Sequence, residues 1–276
     1  MLDVIVIGAG PAGLSAAVNL RQRGKTLRVY YSGAGKLALA PRVDNYLGFS
    51  GIDGVRITDE FRAHAEKLGI EMVKAKVLNV VSMGDHFMLN AAQNIVEARR
   101  VILAVGSQSS QLLPGEEKLL GRGVSYCSTC DGMMYRGKRV AVLGLTREAV
   151  EEANFLHRIG VSVLFLYRTL DLSGLAEEIE RRKIQKVTLE GDSELTGLTA
   201  DGEAVEMDGL FILRESVAPA AMVAGLVMEK GQVKVNQNLE TNIPGLYAAG
   251  DCTGPPYQAM KAAGEGQLAA LKAAEA

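Results

Sequence analysis

Gly8-Ala9-Gly10-Pro11-Ala12-Gly13 stands between the apolar run Asp3–Ile7 and the small-residue stretch Pro11–Arg23. The run has the length and composition of a buried strand, and the stretch after it reads as a helix. In that setting G-x-G-x-x-G is a dinucleotide cradle. Gly8 permits the tight turn, Gly10 lets main chain approach a pyrophosphate, and Gly13 lets helix and strand pack closely. The helix N-terminus at Pro11 and Ala12 adds N–H groups and partial positive charge. Without the flanking strand and helix, the same string would be an ordinary glycine-rich turn. A valine at Gly10 is expected to expel the dinucleotide and to destabilise the fold.

A second strand, Leu27–Tyr31, leads into Ser32-Gly33. An Asp or Glu at this strand end ordinarily binds the ribose. None stands between Arg28 and Gly33, which leaves Ser32 or backbone groups for that role.

The 276 residues are enough for two domains. Hydrophobic residues make up 48% and charged residues 22%, which excludes a disordered chain. Lys and Arg number 30 against 32 Asp and Glu, so no nucleic-acid partner is expected. Met1-Leu2-Asp3-Val4 lacks a basic leader, and Gly, Pro and Ser interrupt the apolar stretch Val4–Leu20. Neither a secretory signal nor a membrane span is expected, and the expected setting is cytoplasmic.

Cys127-Ser128-Thr129-Cys130 holds two of the 3 cysteines. That is no disulfide framework, but two thiols within one helical turn can form a redox disulfide in a reducing compartment. A first Cys at a helix N-terminus gains thiolate character. Asp131 adjoins the pair and can move the proton that dithiol chemistry requires. Half a zinc site, or two core cysteines, would use the same spacing. Zinc needs about four ligands, and Cys252, His64, His86 and His157 supply no second pair, so no metal is expected.

Beyond the cradle the pattern alternates. Thr58–Leu68 reads as an amphipathic helix, and Glu71–Val81, His86–Asn90 and Ile95–Ala98 as an antiparallel meander. Val101–Val105 reads as a buried strand that ends at Gly106. The turn-rich stretch Leu112–Gly123 makes a junction. A second unit follows, with strand Arg139–Leu143, helix Arg147–Arg158 and strand Val161–Tyr167. Its own meander covers Lys186–Glu190, Leu195–Leu198 and Glu203–Glu206, and Gly209–Leu213 is a further strand. The last helix is Gln258–Ala274. The expected architecture is α/β, with two Rossmann-like nucleotide-binding domains, the second inserted into the first. The expected bounds are 1–109 with 239–276 for the first domain and 110–238 for the insertion.

From end to end the chain resembles the low-molecular-weight thioredoxin reductases. The matching pieces are Gly8–Gly13, Asn45-Tyr46-Leu47-Gly48-Phe49, Cys127–Gly132, the long string Thr241–Asp251, and Gln258-Ala259. The resemblance implies FAD in the first domain and a homodimer. It places Gly8–Gly13 at the pyrophosphate and Asp251, after Gly250, near the ribitol and phosphate. Asn45, Gln258 and Ala259 would lie near the isoalloxazine, and Ala104 and Gly106 complete the implied cofactor set. It also implies that Cys130 faces the flavin, that Cys127 exchanges with thioredoxin, and that Asp131 is the acid.

The second domain departs from the NADPH-dependent members. Its turn reads Leu143-Gly144-Leu145-Thr146-Arg147-Glu148-Ala149, with Gly144 as the sole surviving glycine. Arg147 and Glu148 would crowd and repel a pyrophosphate. Tyr167-Arg168-Thr169-Leu170-Asp171-Leu172-Ser173 keeps one Arg where the family reads a 2′-phosphate with several, and such a group needs paired cationic donors. Leu213-Arg214-Glu215-Ser216 replaces a small glycine-containing segment. The pattern resembles the ferredoxin-dependent flavin thioredoxin reductases of anaerobes, as do Leu39-Ala40-Pro41 and Gly254-Pro255-Pro256-Tyr257-Gln258.

That resemblance implies ferredoxin as donor and thioredoxin as acceptor. An atypical NADPH-dependent reductase, a dithiol oxidase using oxygen and a flavin-binding redox sensor stay open. Ferredoxins are acidic, so Arg136, Lys138 and Arg139, or Arg181-Arg182-Lys183, are candidate landing surfaces. Cys252 is expected to be a small buried residue.

Overall fold

The computed structural model describes residues 1–91, 94–107, 113–214 and 217–275. Val4 to Ile7 are buried without interruption, which suits a parallel strand covered on both faces. This strand, β1 (Leu2–Ile7), runs parallel to β2 (Leu27–Tyr31), and helix α1 (Pro11–Gln22) joins them. Helix α2 (Gly54–Lys67) then leads to β3 (Glu71–Lys74), which adds parallel to β2. Strands β4 (Val77–Ser82), β5 (Phe87–Ala91) and β6 (Asn94–Leu103) form an antiparallel meander. The spatial order is β3-β2-β1-β6-β5-β4.

Three sequence expectations shift here. Glu71–Val81 is not one strand: Glu71–Lys74 lies parallel at one edge, and Val77–Ser82 lies antiparallel at the other. Ile95–Ala98 and Val101–Val105 are parts of one long strand, whose first half pairs with β5 and whose second half pairs with β1. Helix α2 starts four residues earlier than Thr58, because the Asp53 carboxylate accepts the Arg56 N–H at 2.9 Å and caps it.

The second unit opens with α3 (Glu116–Leu119), β7 (Val124–Ser125) and α4 (Ser128–Asp131). It continues with β8 (Arg139–Gly144), α5 (Glu148–Arg158), β9 (Ser162–Tyr167) and β10 (Glu180–Lys183). A small antiparallel sheet follows, made of β11 (Val187–Glu190), β12 (Gly197–Ala200) and β13 (Glu203–Ala204). Strand β14 (Gly209–Leu213) completes a parallel sheet of order β10-β9-β8-β14-β7. The chain then returns through α6 (Pro219–Met222), the hairpin β15 (Met228–Glu229) and β16 (Gln232–Val233), and β17 (Leu246–Ala248). Strand β17 pairs with the second half of β6, and α7 (Ala259–Glu275) ends the described chain.

The chain divides into two units, Met1–Ser109 with Ala218–Ala276, and Ser110–Val217. Of the expected junction residues, Ser109, Ser110 and Leu112 lie outside the described residues, as do Glu215, Ser216 and the terminal Ala276. The return to the first unit falls at Ala218 rather than Leu239. Val223, just after α6, forms a bridge to Val80 of β4, and buried Met222 and Val223 extend the first unit's core. Each unit is α/β with its own apolar centre, one around Leu14, Leu20 and Ala269 and the other around Val142, Leu156 and Phe165.

Helices α1 and α7 meet at small residues. A Cβ at Gly266 would lie 2.0 Å from the Ala12 carbonyl oxygen, while one at Gly264 would meet nothing within 4 Å. Gly266→Ala is therefore expected to cost about 2 kcal/mol through overpacking. Gly264→Ala is expected to add about 1 kcal/mol of helix propensity. Thermal unfolding of both variants checks the opposite signs.

Candidate functional site

At the end of β1 main chain packs directly against main chain. A Cβ on Gly13 would lie 1.8 Å from the Gly8 carbonyl oxygen, and one on Gly8 would lie 2.1 Å from that of Ala104. Gly8 also has φ +117°, a conformation that only glycine adopts without strain. Its N–H donates to Tyr30 O at 2.7 Å, and the Ala104 N–H donates to Ile7 O at 2.8 Å. Gly106 turns the chain at φ +71°. The cradle and the Ala104–Gly106 turn are therefore one packed corner. Ser32 sits just beyond β2 on the same edge.

Gly10 differs from its two neighbours. Its φ is −83° and no atom lies within 4 Å of a Cβ placed there. This corrects the expectation that a valine would disturb the fold: the side chain would enter open space. Helix α1 begins at Pro11 with no side-chain cap and no acid in its first turn. Open backbone, an uncapped helix N-terminus and space at Gly10 together fit the pyrophosphate of a dinucleotide.

The Gly250-Asp251 strap closes over the same corner. Gly250 has φ +88°, and a Cβ on it would lie 2.9 Å from the Ala12 methyl. Its N–H donates to Glu265 Oε2 at 2.8 Å. Lys261 Nζ, in turn, donates to the carbonyls of Gly250 and Gly254 at 2.9 and 2.7 Å and pairs with Glu265 at 3.1 Å. Ser107 Oγ donates to Asp251 Oδ2 at 3.4 Å, and Lys36 Nζ donates to Ser107 Oγ at 2.6 Å. Asn45 Nδ2 donates to Gln258 Oε1 at 2.8 Å, which joins the 41–53 loop to the start of α7 at Ala259. The Gly8–Gly13 cradle, the Ala104–Gly106 turn and the Gly250-Asp251 strap thus meet at one corner, and Asn45, Gln258 and Ala259 form a linked group. The sequence reading missed Lys36, Ser107, Lys261 and Glu265, which lie outside its motifs.

The second unit holds the disulfide. Cys127 and Cys130 are bonded, with Cα atoms 5.4 Å apart, and both are half-buried. Cys127 precedes α4, and its sulfur accepts the Cys130 N–H at 3.2 Å. Asp131 Oδ2 accepts from Ser125 Oγ at 2.6 Å, and the same hydroxyl oxygen accepts the Cys127 N–H at 3.1 Å. Ser128 is buried, and its N–H and hydroxyl donate to Glu152 Oε2 at 3.3 and 2.9 Å. Cys252 lies in the first unit, and burial pushes its thiol up to about 12, so it stays an inert thiol.

Gly144 has a packing role. A Cβ there would lie 2.2 Å from the Phe165 ring. Helix α5 then starts at Glu148 with Arg147 as an αR cap, and Glu148 and Glu151 occupy its first turn. Those carboxylates are opposite in sign to what a phosphate site needs. Arg147 pairs with Asp171 at 3.8 Å, which bridges the turn after β8 to the loop after β9. Asp171 also accepts from the Ser173 hydroxyl and N–H at 2.7 and 3.0 Å, and these bonds hold its carboxyl below the usual range.

Arg214 follows β14 and is buried in a bidentate pair with the fully buried Glu116, its Nη2 to Oε2 contact being 2.7 Å. Tyr126 donates its hydroxyl to Glu116 Oε1 at 2.6 Å, and its ring lies 5.7 Å from the guanidinium. Of the basic clusters, Arg139 pairs with Glu180 at 2.8 Å and Lys138 sits over the Tyr135 ring. Arg181, Arg182 and Lys183 form the edge strand β10, with Arg182 on Glu203 at 3.5 Å. Among the described residues, no group of three or more His, Cys, Asp and Glu could hold a metal, and no helix is long and apolar enough to cross a membrane.

Comparison with known proteins extends this geometry. A thioredoxin reductase of Streptomyces clavuligerus is 36% identical over 98% of this chain and 92% of its own length. One from Bacillus subtilis is 31% identical over 97% and 92%. A crystal structure of a ferredoxin-flavin thioredoxin reductase from Clostridium acetobutylicum superposes with a TM-score of 0.93, at 40% identity over 99% of this chain and 96% of that one. The family described as pyridine nucleotide-disulphide oxidoreductase matches residues 2–266. A dinucleotide corner in one α/β unit, a CxxC disulfide in the other and a match along almost the whole length agree: the chain belongs to the pyridine nucleotide-disulphide oxidoreductase family, among its thioredoxin reductases.

Proposed function

We propose that the chain reduces thioredoxin with electrons from reduced ferredoxin rather than from NADPH. One observation carries the choice of donor. At the mouth of the second unit, the strand-to-helix turn presents Glu148 and an Arg147–Asp171 pair, and its one remaining glycine is occupied by Phe165. A nucleotide carrying a pyrophosphate and a 2′-phosphate would meet acid where it needs donors. The relative of known structure named as ferredoxin-linked supports the same reading.

The group held at the first unit's corner is FAD. When bound, its flavin accepts electrons singly and releases them as a pair, which links a one-electron donor to a disulfide. Gly8–Gly13 and the α1 N-terminus bind its pyrophosphate, Asp251 and Ser32 its sugar groups, and Asn45 and Gln258 orient its ring. Once the Cys127–Cys130 bond is reduced, the Cys127 thiolate attacks the thioredoxin disulfide and forms a mixed disulfide. Cys130 then attacks the Cys127 sulfur, re-forms the internal bond and releases thioredoxin as a dithiol. Asp131, fixed by Ser125, is the acid that supplies a proton to the departing thiolate. A cytoplasmic homodimer completes the reading.

Three measurements test it. In an anaerobic absorbance titration, stoichiometric NADPH is expected to leave the flavin oxidised and reduced ferredoxin to bleach it. Bleaching by NADPH would reverse the donor assignment. Cys127→Ser is expected to keep FAD and lose at least about a thousandfold in thioredoxin turnover, as removal of a nucleophile does. Gly10→Val is expected to purify without flavin while the apoprotein keeps its thermal midpoint, because a Cβ placed there has no protein atom within 4 Å beyond its chain neighbours.

A further inference from the structure

The turn that carries both sulfurs of the disulfide is held from two sides. Cys130 rides on α4, which is fastened to α5: Ser128 donates to Glu152, and a Cβ on Gly132 would lie 2.7 Å from the Leu156 side chain. Cys127 caps α4, its sulfur and carbonyl accepting the Cys130 and Asp131 N–H groups at 3.2 Å each, and is joined on its other side to β7, a strand of only two residues, paired as Val124 to Leu210 and Ser125 to Phe211 of β14. Two residues of ladder fix a strand poorly. What continues the attachment is Tyr126, the residue before Cys127. The Arg214 guanidinium at the end of β14 lies over its ring at 5.7 Å from the centroid, and its hydroxyl donates to Glu116 in α3 at 2.6 Å. The Glu116 carboxylate takes a further bond from the Leu113 N–H at 2.7 Å, so it is shared by three segments of the unit.

A buried carboxylate and guanidinium are costly unless fully bonded. Here the bonds run to the residue beside the reactive sulfur. We propose that Glu116, Tyr126 and Arg214 are positioning residues that hold Cys127 within reach of Cys130, and so set how readily the disulfide opens. The role rests on the reading that Cys127 and Cys130 are the redox pair. Arg214, which the sequence shows only as a bulky replacement, thereby gains a function. Releasing Cys127 from the clamp lowers the effective concentration of one thiol toward the other, which favours the dithiol.

The test is a glutathione equilibrium on the flavin-loaded protein, with the dithiol fraction read by maleimide trapping. In it two glutathione thiols become one glutathione disulfide as the Cys127–Cys130 bond breaks, and two protons pass to the new thiols. Tyr126→Phe keeps the ring and removes only the hydroxyl. It is expected to move the equilibrium about tenfold toward dithiol, close to 30 mV for a two-electron couple. Arg214→Lys keeps the charge, loses the fork and is expected to move it the same way; it decides the matter if Tyr126→Phe does not accumulate folded. Gly264→Ala lies in the other unit, where its Cβ meets no atom within 4 Å; it is the control and is expected to leave the equilibrium unmoved. An equilibrium equal to wild type, or a shift no larger than the control's, would overturn the proposal. Thioredoxin is absent from this assay, so failure to reduce thioredoxin would count against the proposed function and not against the clamp.

Discussion

The approach of Gly13 to Gly8, and of Gly8 to Ala104, is the constraint on which the first unit is built. No side chain larger than hydrogen fits at either glycine, because a Cβ would fall about where a carbonyl oxygen already is. Closing that gap brings α1 onto the sheet, and Ala12 onto Gly250 and Gly266. The same closure puts Asp251 and Ser107 at the mouth of the corner. Packing and binding are thus one geometry there, and Gly10, the one position that faces outward, is free of packing demands.

The second unit repeats the strand-turn-helix plan with a different outcome. Gly144 persists because Phe165 fills its Cβ position, so a glycine that reads as the remnant of a phosphate turn is held by an aromatic ring. With Glu148 and Glu151 in the first turn of α5, the helix dipole is answered from within the chain rather than by a ligand. The Arg147–Asp171 pair is solvent-exposed and contributes little to stability. Its effect is on charge at the mouth, where it removes Arg147 as a free phosphate donor. What a scaffold binds depends on such local substitutions, not on its strand order.

Much of this was legible in order of sequence distance. The cradle, the CxxC and the Asp131 beside it are contiguous strings, and their local geometry follows from residue type. The antiparallel grouping of Glu71–Val81 was misread because alternation does not distinguish a parallel edge strand from a hairpin arm. The long strand β6 was split, since its two halves have different partners and hence different burial patterns. The early return at Ala218 depends on a bridge from Val223 to Val80, which no local pattern encodes. Lys261 and Glu265 belong to no motif, and an i,i+4 pair on a helix carries no local sign that both reach the strap at Gly250.

Glu116 and Arg214 are 98 residues apart, and each alone looks like an ordinary surface charge. Burial changes their meaning. An isolated carboxylate in that position would be costly to desolvate, and so would the guanidinium, whereas together with Tyr126 they satisfy one another. Apolar residues of similar volume could fill such a space with equal or greater stability, so stability alone does not account for the choice. A bidentate pair has a direction that apolar contacts lack. It fixes the Tyr126 hydroxyl, and therefore the chain one residue before Cys127, at a defined place. For a disulfide whose first cysteine stands where a two-residue strand passes into a short helix, definition of place is what thiol–disulfide exchange requires.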